Sequence, residues 1–155
     1  MKVLVAEPMS PAAIELLQAQ PGWDVVVSNP KEYEAHLADC DALIVRSAVK
    51  VKADTLAKAP KLRVIGRAGV GVDNVELPAA TAAGVLVMNT PGGNAVSVAE
   101  HTFALMLWLA RMVPAATVST LAGKWEKKKF LGNELRGKVL GVVGMGNIGQ
   151  EVVRR

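Results

Sequence analysis

The stretch KVLGVVGMGNIGQEVVRR, Lys138 to Arg155, decides how this chain is read. Val139 to Val143 is a short apolar run with the character of a buried strand. It leads into Gly144, Gly146 and Gly149 at GxGxxG spacing, after which Gln150 to Arg155 begins a helix. Strand, tight turn and helix in that order form a dinucleotide-binding fingerprint. The first glycine permits the turn, the second lets the backbone approach a pyrophosphate, and the third lets helix and strand pack closely. Amides at the helix start, together with the helix dipole, then receive the phosphate charge. A glycine-rich turn in any parallel α/β sheet can carry the same spacing, but the flanking strand and helix favour nucleotide binding. The acidic residue that holds the adenosine ribose lies about 20 residues beyond such a turn. It would fall after Arg155, so the chain is expected to be the N-terminal portion of a longer protein, with the choice between NAD and NADP open.

Upstream, Val3 to Ala6, Trp23 to Val27, Ala42 to Val45, Leu62 to Ile65 and Val85 to Met88 are short runs rich in Val, Ile and Leu. Between them lie helix-favouring stretches, Ala12 to Ala19, Lys31 to Ala38, Ala53 to Ala59 and Val75 to Ala83. This alternation predicts right-handed βαβ units in a parallel sheet. The expected fold class is α/β: a flavodoxin-like, doubly wound parallel sheet over residues 1–94, then a long helix and the start of a Rossmann domain over residues 95–155. The helix, Ala95 to about Met112, ends before Pro114. Phe103, Leu105, Met106, Leu107, Trp108 and Leu109 leave it no wide polar face, so burial on more than one side is predicted. A dimer interface and burial within one chain fit that pattern equally. Leu121 to Leu135 reads as an extended or irregular arm.

With 51% hydrophobic and 21% charged residues, the composition is that of a core-rich globular protein rather than a disordered one. Net charge is +4; residues 1–94 carry 9 of the 18 basic and 10 of the 14 acidic side chains, so the positive excess lies in the second part. That suits phosphate-bearing ligands without implying nucleic acid. Lys127, Lys128 and Lys129, beside Trp125 and Phe130, fit a solvated or interface-flanking face better than a nucleic-acid patch. Cys40 stands alone, so no internal disulfide forms, and without a secretion-signal pattern the chain is expected in a reducing cytoplasm. The longest apolar run, Thr102 to Ala110, falls well short of the about 20 residues that span a bilayer, and no membrane partner is expected. No histidines or cysteines stand at metal-ligand spacing.

Ligands of open parallel sheets sit beyond the carboxyl ends of the strands. Arg46 and Ser47 follow one predicted strand, the glycine-rich Gly66 to Gly71 with Arg67 follows the next, and Asn89 to Asn94 follows the last. Two arginines and a hydroxyl at adjacent strand ends can grip a carboxylate or phosphate through the paired donors of guanidinium. Each arginine alone fits a surface salt bridge; the joint placement favours the site. Asp73 and Asn74 are expected to cap the following helix. Ser97 caps or begins the long helix, His101 reads as a packed or interface side chain, and Cys40 reads as inert.

The chain resembles the N-terminal half of the D-isomer-specific 2-hydroxyacid dehydrogenases over nearly all its length. The resemblance rests on LIVRSAVKV from Leu43, GRAGVGVDNVELPAATAAGVLVMNTPGGNAVSVAEH from Gly66 to His101, GKWEKKKFLGNELRGK from Gly123, and the fingerprint. It implies a substrate-side domain first, a long helix that helps build a dimer, and NAD in the cleft. By the same resemblance Arg46, Arg67 and Asn94 fall on substrate-contacting positions with Ser47 beside them. Val70 falls on the nicotinamide side, and Gly144, Gly146, Asn147 and Ile148 on the pyrophosphate turn. Val70 stands where other members carry threonine, and Asn147 where some carry arginine. The family's catalytic histidine, its glutamate and a further arginine would lie beyond Arg155, so no catalytic residue is assigned within this chain.

The implied activity of the complete protein is NAD-dependent oxidation of a phosphorylated 2-hydroxy acid, 3-phosphoglycerate to 3-phosphohydroxypyruvate, at the start of serine synthesis. Two alternatives stand beside it: a hydroxypyruvate or glyoxylate reductase of the same fold, and a non-catalytic dimerisation or NAD-sensing module. The 155 residues alone are expected to show no dehydrogenase turnover and weak NAD binding, which a steady-state assay of the purified chain checks.

Overall fold

A computed structural model describes residues 1–155. The chain divides into two compact units, Met1–Gly93 and Asn94–Arg155. The first is built on five short parallel strands, β1 (Lys2–Val5), β2 (Asp24–Val27), β3 (Ala42–Val45), β4 (Val64–Arg67) and β5 (Leu86–Asn89). Their order across the sheet is β2-β1-β3-β4-β5. The chain leaves β1 towards β2 on one side and β3 towards β4 on the other, so the switch point of the topology lies between β1 and β3.

Side chains alternate across the sheet. Leu4, Leu43, Val45 and Ile65 share the core with Val26 and Val87, packed with Leu37, Leu56 and Ala80. The residues between them point the other way: Val3 and Val5 are buried, whereas Val27, Leu86 and Met88 are exposed. The connecting helices α1 (Pro11–Gln18), α2 (Ala53–Ala57) and α3 (Leu77–Ala82) are short. Ser10 starts α1, its side chain accepting from the Ala13 amide at 3.4 Å with Pro11 in the first turn. Lys31 to Ala38, expected as a helical stretch, is instead a 3₁₀ helix over Tyr33–Asp39, the tighter form used in short connections.

The second unit holds α4 (Ala95–Ala110), α5 (Val113–Leu121) and α6 (Asn147–Arg154), with α6 packed against α4. The helix α5 lies outside the sequence expectation. Met112 adopts a left-handed conformation with φ 54°, which breaks the helix, and Pro114 then sits in the first turn of the next one, where its missing N–H costs nothing. The bend between α4 and α5 is 67°, and no single helix is long and apolar enough to cross a membrane.

One expectation is corrected here and a second is narrowed. Val139 to Val143 is not a strand and is not buried: Val139 is 97% and Val143 104% exposed. A strand exists through its ladder bonds to a neighbour, and no other segment of this unit lies alongside it as one. Nor is α4 enclosed on several sides within this chain. Only Ala95 and Ala99 are buried, and Leu105, Leu107, Trp108 and Leu109 are exposed.

In the 155-residue chain taken alone, amide exchange should therefore be slow in β1, β3 and β4 and fast from Val139 to Val143, as read by hydrogen-exchange mass spectrometry. Leu43→Ala, which empties a fully buried position, should cost about 2–5 kcal/mol in denaturant unfolding.

Candidate functional site

Parallel register sets the site's position. Val45 pairs with Arg67 and Arg67 with Asn89, so β3, β4 and β5 end together on one edge. Beyond that edge lie the exposed loop Arg46 to Ala48, the glycine-rich loop from Ala68 to Gly71, and the turn from Thr90. These loops are tied to one another. The Ala68 amide donates to Val45 O at 2.8 Å, the Thr90 amide to Gly69 O at 2.9 Å, and Asn89 Nδ2 to Val70 O at 2.7 Å. An open cavity of about 260 Å³ between β3, β4 and β5 is lined by Arg67, Ala68, Asn89 and Thr90 over an apolar floor of Ile44, Gly66 and Met88.

Both sequence-predicted arginines lie on this edge, and neither enters a salt bridge; the six ion pairs of the chain use other residues. Arg46 is exposed, and its Nη1 donates to Pro8 O at 3.2 Å, over the end of β1. Arg67 is half-buried, and its Nε donates to Asn74 Oδ1 at 3.4 Å. Gly69 makes room for it: a methyl group there would collide with Nη1 and lie 2.6 Å from Cζ. The two guanidinium groups thus share an edge but are held by different partners. Ser47 is exposed between them in sequence.

The expected capping role of Asn74 is overturned. The residue before α3 is Glu76, and no side chain caps that helix. Asn74 is 8% exposed, and its Nδ2 donates to Arg46 O at 2.9 Å and to Val49 O at 2.7 Å. Its polar partners thus belong to the loop that follows β3 and to Arg67. Glu7, a residue absent from the sequence-level candidates, completes that arrangement. It is 5% exposed and accepts from the amides of Arg46 at 2.8 Å, Val49 at 2.9 Å and Ala48 at 3.1 Å. Burial acts against its charged form, but the amides of Val49, Ala48, Arg46 and Ser47 together outweigh it and hold the carboxyl below the ordinary carboxylate value. The available signal in the sequence was its position, directly after the wholly apolar Val3 to Ala6 and so at a strand's carboxyl end.

In the second unit, Asn94 stands at the start of α4 with no side-chain capping bond, and Ser97 Oγ donates to its carbonyl at 3.0 Å. His101 is exposed. The fingerprint turn keeps its shape without a strand before it. Gly144 has φ +98°, and a methyl group on Gly149 would collide with Gly144 O and lie 3.1 Å from Gly144 C, so only glycine lets α6 sit this close to the turn. Gly146, in extended conformation, precedes Asn147 and Ile148 in the first turn of α6, and nothing lies within 4 Å of the position a side chain on it would take. The turn therefore fits the pyrophosphate of a dinucleotide, with free space over Gly146 and unpaired helix amides behind it. Cys40 is buried, with its thiol pushed up mainly by burial, as an inert cysteine should be.

The family model described as D-isomer specific 2-hydroxyacid dehydrogenase, catalytic domain, matches residues 3–150. The chain is 54% identical over 157 residues to a D-3-phosphoglycerate dehydrogenase of Sus scrofa, covering 99% of this chain and 29% of the relative. It is 49% identical over 158 residues to a D-3-phosphoglycerate dehydrogenase of Archaeoglobus fulgidus, covering 100% of this chain and 30% of that protein. It therefore spans less than a third of the length of these curated relatives. Its fold is similar to that of the NAD-dependent formate dehydrogenase from Staphylococcus aureus solved in complex with NAD, with TM-score 0.87 and 29% identity over 99% of this chain and 52% of that one.

Two outcomes check this geometry. Gly69→Ala should displace the Arg67 guanidinium while leaving the sheet intact, visible as unchanged far-UV circular dichroism with altered chemical shifts around Arg67. The Glu7 carboxyl is lowered in the folded chain, so its contribution to stability is complete above pH about 4.5 and is lost as pH falls further. Glu7→Gln should flatten that acid limb in pH-dependent thermal unfolding.

Proposed function

The chain belongs to the D-isomer-specific 2-hydroxyacid dehydrogenase family, and from that premise we propose that the whole protein oxidises the 2-hydroxyl of 3-phosphoglycerate to the ketone, with NAD as acceptor. The observation that carries the substrate choice is the pair of arginines at neighbouring strand ends without carboxylate partners, in a chain similar to D-3-phosphoglycerate dehydrogenases. A substrate with a carboxylate and a phosphate needs cationic groups with donors to spare, and guanidinium supplies them in pairs.

In this reading Arg46, Ser47, Arg67 and Asn94 contact the substrate, and Val70 faces the nicotinamide. Gly144, Gly146, Asn147, Ile148 and Gly149 hold the pyrophosphate. When bound, NAD supplies the hydride acceptor. The chain's own residues bind the anionic ends and exclude alternative poses of the hydroxy acid; the group that takes the hydroxyl proton is assigned to no residue here. The likeness to a formate dehydrogenase favours one second reading, a dehydrogenase of the same family acting on a small acid without phosphate. The exposed apolar residues of α4, Leu105, Leu107, Trp108 and Leu109, support a second copy of the protein as partner.

Steady-state kinetics of the complete protein test the substrate. Reduction of 3-phosphohydroxypyruvate should be strongly preferred over hydroxypyruvate and glyoxylate; the reverse preference establishes the second reading. Arg67→Ala should lower kcat/KM for 3-phosphoglycerate by about 10- to 100-fold, the equivalent of the about 1.5–3 kcal/mol carried by hydrogen bonds to charged groups. Light scattering should show a dimer, and Leu109→Glu, at a position 72% exposed, should shift it towards monomer with the fold retained.

A further inference from the structure

The loop after β3 is held in an unusual way. At Arg46 the amide donates to Glu7 and the carbonyl accepts from Asn74; at Val49 the same two side chains hold the amide and the carbonyl. Both ends of the four-residue loop are thus fixed from two sides, and Glu7 also takes the Ala48 amide between them. Glu7 comes from the end of β1 and Asn74 from the loop that follows β4, so the two side chains approach from opposite sides of β3. Both are buried, whereas Arg46, Ser47 and Ala48 are exposed. Asn74 has a third role: its Oδ1 accepts from Arg67 Nε.

Glu7 also lies at the switch point between β1 and β3, where an open α/β sheet offers its crevice to ligands. Three amides converge there on one point, the arrangement by which backbone binds an anion. The anion in this chain is its own carboxylate. With those amides occupied, an incoming anion is left to the guanidinium groups outside.

We propose that Glu7 and Asn74 are the positioning residues of the substrate site: Glu7 acts as a built-in anion at the switch point, and together with Asn74 it clamps loop 46–49 so that Arg46 and Arg67 present their donors in a fixed arrangement. This rests on the dehydrogenase reading for its substrate, but the clamp itself is a statement about the loop. Neither residue touches the substrate. Glu7 acts through Arg46, and Asn74 through Arg46 and Arg67, so their loss affects substrate binding before turnover or cofactor binding.

The complete protein with Glu7→Gln, and separately with Asn74→Ala, provides the test. Glu7→Gln keeps the side chain's size but turns an amide donor towards backbone N–H groups. Exchange at the amides of Arg46, Ala48 and Val49 should accelerate about tenfold or more, while β4 amides stay protected. In both variants KM for 3-phosphoglycerate should rise about tenfold, with kcat and KM for NAD within about twofold of the parent. Asn74→Ala removes no buried charge and carries the same kinetic prediction if Glu7→Gln fails to fold.

Unchanged exchange at those three amides overturns the clamp. So does an unchanged KM for 3-phosphoglycerate, or an equal loss across kcat and both KM values, which marks general loosening. If the parent protein ignores 3-phosphoglycerate, the functional reading fails, and exchange at Arg46, Ala48 and Val49 alone decides the clamp.

Discussion

In-register parallel pairing of β3, β4 and β5 is the constraint on which the rest depends. It places Val45, Arg67 and Asn89 in one row, so three connecting loops leave the sheet from a common edge. The strands are four residues each, and a one-residue slip would turn every side chain to the opposite face. Leu43 and Ile65 resist that slip because both are fully buried on the core face. The hydrophobic pattern that stabilises the sheet therefore also aims Arg67. Gly66 and Gly69 leave the backbone around Arg67 uncrowded, and the guanidinium occupies the space a side chain at Gly69 would need.

The sheet was legible because strands buried in a parallel layer read as unbroken apolar runs. Ala42 to Val45 matches end to end. The other strands shift by one or two residues, since strand ends follow hydrogen-bonding partners rather than hydrophobicity. Leu62 shows this: it is buried, but its amide closes a turn onto Ala59 O and it precedes β4. Val139 to Val143 is the converse, an apolar run with strand character and no partner to pair with. The helix α4 repeats the lesson at the level of packing. Its composition predicts enclosure, and enclosure needs a surface that the residues around it do not supply.

At the site, the arginines were legible from a rule about strand ends, whereas Asn74 and Glu7 were not. The local preference of asparagine before a helix points to capping. The actual partners of Asn74 lie 7, 25 and 28 residues away in sequence, and those of Glu7 39 to 42 residues away. No local pattern encodes such distances. They become readable only once the strand order is known, because that order brings the end of β1 beside the end of β3.

The choice of residue types follows from the same geometry. Where β1 and β3 end, their continuations part in opposite directions, so the amides of Arg46, Ala48 and Val49 have no backbone ladder to join. Left unpaired, the buried Val49 amide alone would cost about 1–3 kcal/mol. An ionised carboxylate is an acceptor only, with room for several donors, and its charge strengthens each bond. That offsets the cost of burying Glu7 and explains why its carboxyl lies below the ordinary value despite burial. The carbonyls of Arg46 and Val49 need the opposite partner. A primary amide donates twice and accepts once or more, which is what Asn74 does towards Arg46, Val49 and Arg67. A carboxylate at position 74 would face two carbonyl oxygens, and an amide at position 7 would turn an N–H towards other N–H groups. The two residues are therefore not interchangeable, and the exposed loop between them is ordered by buried groups beneath it.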